Sequence, residues 1–294
     1  MAHSFPFYLA SAFSNDAFGG NPAAVIFLDK LDITDEFLLK IADNLNQPAA
    51  AFLFPAPPST DPRVFKFWIR YIVGPGTEVP FCGHATIAAA QVAFNLRRDL
   101  VSSEVAVLEF ETPASGVMRA FKMGDGFNEI QLPLAVVEEV GADERERLSK
   151  LVHNAFGREV NIEFIGRGGE GFRNSLLVEV DAKVNLKASS INANPLKETG
   201  CSTNILTTES LTGEEIFVSR MFAPTILSSG EDHVCGAAHC LLTPYWFSKK
   251  NITEGLRAAT QVSKRGGMLK VGKGKEVVRI QGQACVFSSA TMYL

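Results

Sequence analysis

The chain states one short pattern twice, half its length apart. Glu78-Val79-Pro80-Phe81-Cys82-Gly83-His84-Ala85 and Glu231-Asp232-His233-Val234-Cys235-Gly236-Ala237-Ala238 each set Glu four residues ahead of a Cys-Gly step and Ala three residues beyond the Cys. Each copy runs on into an apolar segment of helical character, residues 86–94 and 239–247. An internal repeat has an architectural cause, so the chain is expected to fold as two halves, each with a thiol just ahead of a helix. A helix N-terminus carries unpaired N–H groups and a partial positive charge, which lower a thiol's pKa and hold a carboxylate. Two such ends facing each other make an anion-binding site with a reactive sulfur on each side. A single Cys-Gly step reads as packing, because free Cys is among the most buried residue types. The repetition in one register is what shifts the reading to chemistry.

With 294 residues the chain has room for two domains of ordinary size. A net charge of −4 gives no electrostatic footprint for nucleic acid or an anionic membrane, so the expected partner is a small molecule. The opening Met1-Ala2-His3-Ser4-Phe5-Pro6-Phe7 lacks the features of a secretory signal and no run of 18 apolar residues occurs, from which a cytoplasmic protein is expected. The cysteines at 82, 201, 235, 240 and 285 are odd in number, with no CxxC or paired-His spacing. They read as reduced thiols without a metal.

Strands are expected at 7–13, 23–27, 50–54 and 64–72, with a tight turn at Gly19-Gly20-Asn21-Pro22. Residues 35–46 form an amphipathic helix, apolar at 37, 38, 41 and 45, with Thr34 placed as its N-cap. Beyond the loop Gly74-Pro75-Gly76-Thr77 and the first Cys-Gly helix come strands near 105–111, 116–122 and 129–133, with a bend at Gly124-Asp125-Gly126. The second half repeats this grammar: a charged helix 143–156, strands at 160–165, 175–180, 203–208 and 215–222, the second Cys-Gly helix, then strands near 267–271, 276–280 and 284–288. Many short strands with one principal helix per half do not alternate as βαβ units do. Helices apolar nearly all round suit enclosure by a sheet.

Gly20-Asn21-Pro22-Ala23-Ala24-Val25, Cys82-Gly83-His84-Ala85-Thr86 with Glu78 ahead of it, Glu231-Asp232-x-Val234-x-Gly236 after Phe222-Ala223-Pro224, and Arg265-Gly266-Gly267 together resemble the phenazine-biosynthesis isomerase (PhzF-like) family. The resemblance covers essentially the whole chain. It implies an α+β, diaminopimelate-epimerase-like fold of two pseudo-symmetric lobes, each a β-barrel-like sheet wrapped around a central helix, with the active site in the cleft between them. On this reading residues 1–124, completed by 281–294, form the N-terminal lobe and 125–280 the C-terminal lobe. The resemblance further implies no metal or organic cofactor, a proton shift on a small carboxylic acid, and a homodimer.

By position, His84 and Asp232 match active-site residues of those isomerases. The acid-base residue does not carry over: where the family has Asn-x-Ser-Glu-Thr-x-Phe, this chain has Asn46-Gln47-Pro48-Ala49-Ala50-Ala51-Phe52, with Ala49 in place of the catalytic Glu. A methyl group cannot move a proton. Ala237 stands where a Ser is usual, whereas Cys82 and Cys235 match the thiol pair of epimerases and racemases of the same fold. One thiolate would remove the proton α to a carboxylate and the other thiol return one, with helix N-termini at Gly83 and at Gly236 and Ala237 holding the charge. His84 supports the thiolate or donates to substrate, Asp232 acts as base or fixes His84, and Asn21 contacts substrate or serves as a left-handed turn residue. His233 and His239 read as structural. Three readings stand: a cofactor-independent isomerase or epimerase, an enzyme of altered reaction such as a cyclase or lyase, and a non-catalytic binding protein, the last two prompted by Ala49 and Ala237.

Overall fold

The computed structural model describes residues 4–29, 33–74, 76–112 and 116–293. The first three residues of the opening segment and Pro75 of the Gly74–Thr77 loop lie outside them. In chain order the elements are β1 (Ser4–Ala12), β2 (Asn21–Phe27), α1 (Asp35–Leu45), β3 (Ala49–Pro55), β4 (Val64–Val73), β5 (Thr77–Val79), α2 (Gly83–Asn95), β6 (Val107–Thr112), β7 (Gly116–Lys122) and β8 (Asn128–Pro133). Then follow β9 (Val137–Glu139), α3 (Ala142–Phe156), β10 (Ile162–Gly168), β11 (Ser175–Val180), a 3-10 turn (Asn194–Thr199), β12 (Thr203–Glu209), β13 (Phe217–Phe222) and β14 (Glu231–Asp232). The chain ends with α4 (His239–Lys249), β15 (Arg257–Gln261), β16 (Gly267–Lys273), β17 (Val277–Gly282) and β18 (Ala284–Tyr293). The chain divides into two compact units, Met1–Gln131 with Gln281–Leu294, and Leu132–Ile280.

In the first unit β1 runs antiparallel to both β18 and β2, and β2 is parallel to β3 across α1. β3 is antiparallel to β4, β4 to the short β5, and β6 lies parallel to β4 on the far side of α2 and antiparallel to β7. The second unit repeats the sequence of pairings. β10 is antiparallel to β11, β11 parallel to β12 across the 3-10 turn, β12 antiparallel to β13 and β13 to the short β14. β15 then lies parallel to β13 beyond α4, and antiparallel to β16. The repeat seen in eight residues of sequence is thus a repeat of a whole topology.

Local chemistry sets these elements. Thr34 caps α1, its hydroxyl accepting the Phe37 N–H at 3.3 Å, and Asn46 ends the helix in the left-handed region at φ 47. Leu38 and Ile41 point α1 into a cluster with Ala24, Ile26, Ala50 and Phe52 of β2 and β3. α2 is buried except at Gln91 and Asn95 and packs against β1, β2, β3, β7 and β18. Its alanines let strands approach from all sides. α4 meets its own sheet through the Trp246 indole N–H, which donates to Thr207 on β12 at 3.0 Å, and through Phe217 on β13, stacked 5.9 Å from Trp246.

Pro244 sits inside α4. Lacking an N–H, it leaves the carbonyl four residues back without its helical donor, and that carbonyl, of Cys240, accepts from Ala135 N–H at 3.1 Å instead. Glu179, the one charged residue of the buried β11, accepts from the Tyr245 hydroxyl at 2.5 Å and from Lys249 at 2.5 and 2.7 Å. That satisfies a carboxylate which burial alone would penalise.

The structure corrects the sequence at several points. The boundary between units falls at Gln131 rather than 124, because Gly124–Gly126 is the turn of a hairpin whose second strand, β8, stays paired with β7. β2 begins at Asn21, so Pro22 lies in a strand, opposite Ser11. The short strands β5, β9 and β14, and the strand β15, escaped the alternation pattern. Cys235 is not immediately ahead of a helix either: residues 236–238 form a turn before α4 begins at His239.

Candidate active site

In the first unit Cys82 is the N-cap of α2, with extended backbone at φ −143 and ψ 105. Its carbonyl accepts twice from Thr86, from the amide at 2.9 Å and the hydroxyl at 2.8 Å. The Tyr71 hydroxyl, buried on β4, lies 2.7 Å from that Thr86 hydroxyl. Burial pushes the Tyr71 phenol far up, so it stays protonated and donates along the chain Tyr71 to Thr86 to Cys82. The Cys82 sulfur is 3.4 Å from His84 Nδ1. A sulfur at that distance can pass its proton to the imidazole.

Asn21 is fully buried at the start of β2, and the left-handed residue beside it is Gly20, at φ 66. A Cβ at Gly20 would lie 2.2 Å from the Ala12 carbonyl oxygen, which is why glycine stands there. The turn reading of Asn21 therefore belongs to Gly20. Ala49 opens β3, fully buried, paired with Ala23 on one side and Val73 on the other.

In the second unit Asp232 lies on β14, opposite Met221. Gln261, on β15, clips the segment that follows: its side-chain oxygen accepts the Cys235 N–H at 2.9 Å and its side-chain nitrogen donates to the Asp232 carbonyl at 2.7 Å. The Ser263 hydroxyl donates to the His233 carbonyl at 2.5 Å and accepts the Gly266 N–H at 3.1 Å. Arg265-Gly266 thus closes the turn between β15 and β16, with Gly266 at φ 65 and Gly267 opening β16 opposite Gln261. Burial, with Arg265 close by, lowers the His233 pKa. The Cys235 carbonyl accepts from His239 Nδ1 at 2.8 Å. Because Gln261 takes the Cys235 amide, that N–H is not among the donors for a carboxylate. Gly236 is buried and Ala237 half-buried in the turn before α4.

The repeated glutamates have a structural task. Glu78 on β5 is opposite Ile72 and Glu231 on β14 opposite Phe222, and each makes a two-pronged pair with the Arg two residues before that partner. Arg70 Nε and Nη2 meet Glu78 at 2.8 and 2.5 Å, and Arg220 Nε and Nη2 meet Glu231 at 2.6 and 2.8 Å. Each pair ties a short strand to a long one directly ahead of a cysteine. Both sulfur-bearing residues are only 8% exposed. Among the described residues no three His, Cys, Asp or Glu side chains are grouped as a metal ion requires, and no helix is long and apolar enough to cross a membrane.

A family model described as phenazine biosynthesis-like protein matches residues 10–290. The chain belongs to the phenazine biosynthesis-like family. An uncharacterized isomerase of Halalkalibacterium halodurans is 35% identical to this family member over 279 residues, covering 95% of each chain. A crystal structure of a PhzF-family phenazine biosynthesis protein from Enterococcus faecalis superposes with a TM-score of 0.83 at 29% identity, covering 99% of this chain and 100% of that one. A predicted epimerase from Pseudomonas aeruginosa, with a TM-score of 0.70 at 20% identity and coverage of 98% and 99%, shares the fold. The fold is the α+β one of PhzF proteins and epimerases, and the relatives support an isomerase-type function.

Of the residues the sequence singled out, the structure joins Cys82 to His84, and sets Asp232 and Cys235 on one clipped segment. Sequence reasoning missed Gln261 because the strand carrying it was not recognised. It missed Arg70 and Arg220 because their partners lie across a strand pair. His239 was read as structural, and its bond to Cys235 gives that structure a purpose.

Proposed function

We propose that this phenazine biosynthesis-like protein is a cofactor-independent isomerase or epimerase that moves a proton on a small carboxylic acid, with Cys82 and Cys235 acting on opposite faces of one carbon. The observation that carries the reading is the matched setting of the two thiols. Each follows an Arg–Glu-clamped short strand, and each has its carbonyl held by the side chain four residues on, Thr86 in one unit and His239 in the other. A clamp shared by both thiols suits a reaction in which two groups exchange roles. One thiolate takes the α-proton and becomes a thiol; the opposite thiol gives its proton to the carbanionic carbon and becomes a thiolate. His84, beside Cys82, supports the thiolate, and Asp232 serves as an auxiliary acid or base. Asn21, Gly83, Gly236 and Ala237 supply contacts to the substrate, and Ala49 marks the seat of the absent carboxylate. The working form is a cytoplasmic homodimer.

The test is solvent-deuterium uptake over a panel of amino and hydroxy acids, with the unmodified protein and with Cys82→Ser and Cys235→Ser. An alcohol of much higher pKa is no base near neutral pH, so exchange is expected in the unmodified protein and in neither variant. Exchange persisting in both variants would assign the proton transfer to Asp232 or His84. No exchange of any bound carboxylate would favour the binding-protein reading, which the methyl groups of Ala49 and Ala237 support.

A further inference from the structure

The first unit holds its cysteine carbonyl by a helical amide as well as a side chain, and the second lacks that amide. Cys82 is itself a helix cap, so the amide of Thr86 reaches its carbonyl as ordinary helical geometry dictates. Cys235 stands a turn away from α4, and the corresponding amide, of His239, donates to Gly236 instead. Side chains take over. The Cys235 carbonyl receives the imidazole of His239 at 2.8 Å, and the Cys235 amide is received by Gln261 at 2.9 Å. The same Gln261 donates to the Asp232 carbonyl, which spans the segment from Asp232 to Cys235 with one amide group.

We propose that His239 and Gln261 are positioning residues that hold the Asp232–Cys235 segment, and with it the second thiol, in its working conformation. The proposal rests on the two-thiol reading above. Both side chains are fully buried, and the bonds they make admit one orientation each. A carbonyl can accept but not donate, so the ring nitrogen that faces it, His239 Nδ1, carries the proton. Gln261 turns its oxygen to the Cys235 amide and its nitrogen to the Asp232 carbonyl. Burial pushes the His239 pKa down to about 4, which keeps this neutral form across the physiological range. The ring of Phe217, 5.9 Å away, packs beside the imidazole.

The test reads the thiol and needs no turnover. Iodoacetamide labelling is followed peptide by peptide in the full chain, comparing Cys235 with Cys82. His239→Phe keeps a ring and removes the donor; Cys235 should then alkylate about tenfold faster while Cys82 keeps its rate, as expected when one buried hydrogen bond is lost from a local opening equilibrium. His239→Asn should restore the slow rate, since the Asn side-chain nitrogen stands at the same bond distance from the backbone as imidazole Nδ1 and donates an N–H. An unchanged or slower Cys235 in His239→Phe overturns the proposal, as does a Cys82 rate that rises in step, which is general loosening. Should His239→Phe fail to fold, Gln261→Met is read by the same two rates. Failure of deuterium exchange alongside selective exposure of Cys235 would sink the two-thiol reading and leave the clamp standing.

Discussion

Neutralising Glu231 separates the two halves' Arg–Glu clamps by their surroundings. Arg220 and Glu231 are 11% and 18% exposed, whereas Arg70 and Glu78 are 20% and 41% exposed. Arg70 also has a second carboxylate, Asp35, at 2.8 Å. Among the described residues Arg220 has no second carboxylate: its remaining nitrogen donates to the carbonyls of Leu186 at 3.1 Å and Ser189 at 2.6 Å, and its guanidinium lies over Phe222. Glu231→Gln leaves a mostly buried guanidinium facing a neutral amide that keeps one acceptor. Breaking a buried pair in this way costs about 2–4 kcal/mol. Glu78→Gln removes one of two partners from a wetter pair and costs about 0.5–1 kcal/mol. In a chain of this size each kcal/mol shifts Tm by about 2–4 °C. Scanning calorimetry at pH 7 should therefore show a drop of about 5–15 °C for Glu231→Gln and only about 1–4 °C for Glu78→Gln. The double replacement Arg220→Met with Glu231→Leu should recover part of the loss but not all, because the Leu186 and Ser189 carbonyls lose their donor. Equal shifts for the two Gln variants would refute the assignment of the difference to burial.

Gly20→Ala forces a methyl to 2.2 Å from the Ala12 carbonyl at φ 66 and should destabilise the protein by at least about 3 kcal/mol, seen as a lower denaturant midpoint. His239 binds its proton more weakly folded than unfolded, its pKa of about 4 lying below the ordinary 6.5. The unfolded chain takes up more protons, so stability falls as pH drops from about 6.5 toward 4, and His239 alone should remove about 2 kcal/mol between pH 7 and pH 5. Denaturation of His239→Asn at the two pH values should show a loss smaller by that amount; an identical loss would mean the imidazole is not held neutral. Among the four buried thiols, Cys82 and Cys235 should alkylate ahead of Cys201 and Cys240, whose pKa values burial raises, to about 12 for Cys240. Cys285, half-exposed on β18, should react by access alone, and a Cys240 faster than Cys235 would contradict this order.

The two-part fold was legible because its signals are local: a repeated Cys-Gly step, an apolar helix after each, and alternation in β4. The start of α1 was legible from Thr34 for the same reason, as capping is settled within four residues. What escaped were features whose cause lies across a strand pair. β5 and β14 are too short for a period to show, and their existence depends on Arg70 and Arg220 in neighbouring strands. β15 has no apolar alternation to announce it, since Arg257, Thr260 and Gln261 interrupt it. The turn that separates Cys235 from α4 was hidden because Gly236-Ala237-Ala238 is compatible with helix, and only the bonds of Gln261 and His239 show why the chain does not yet coil there. Ala49 was legible as a substitution in a motif, but its full burial was not, because nothing local says which side of β3 is covered.

The proline inside α4 makes that helix depend on a distant piece of chain. Its interior carbonyl is completed by the amide of Ala135, on the order of a hundred residues upstream, so a fragment that begins after that point would carry a helix with a broken ladder. The loop between donor and acceptor must close before the helix is whole, and closure of a long loop is a late and slow event. Assembly of the second unit should accordingly end, not begin, with the helix at its centre.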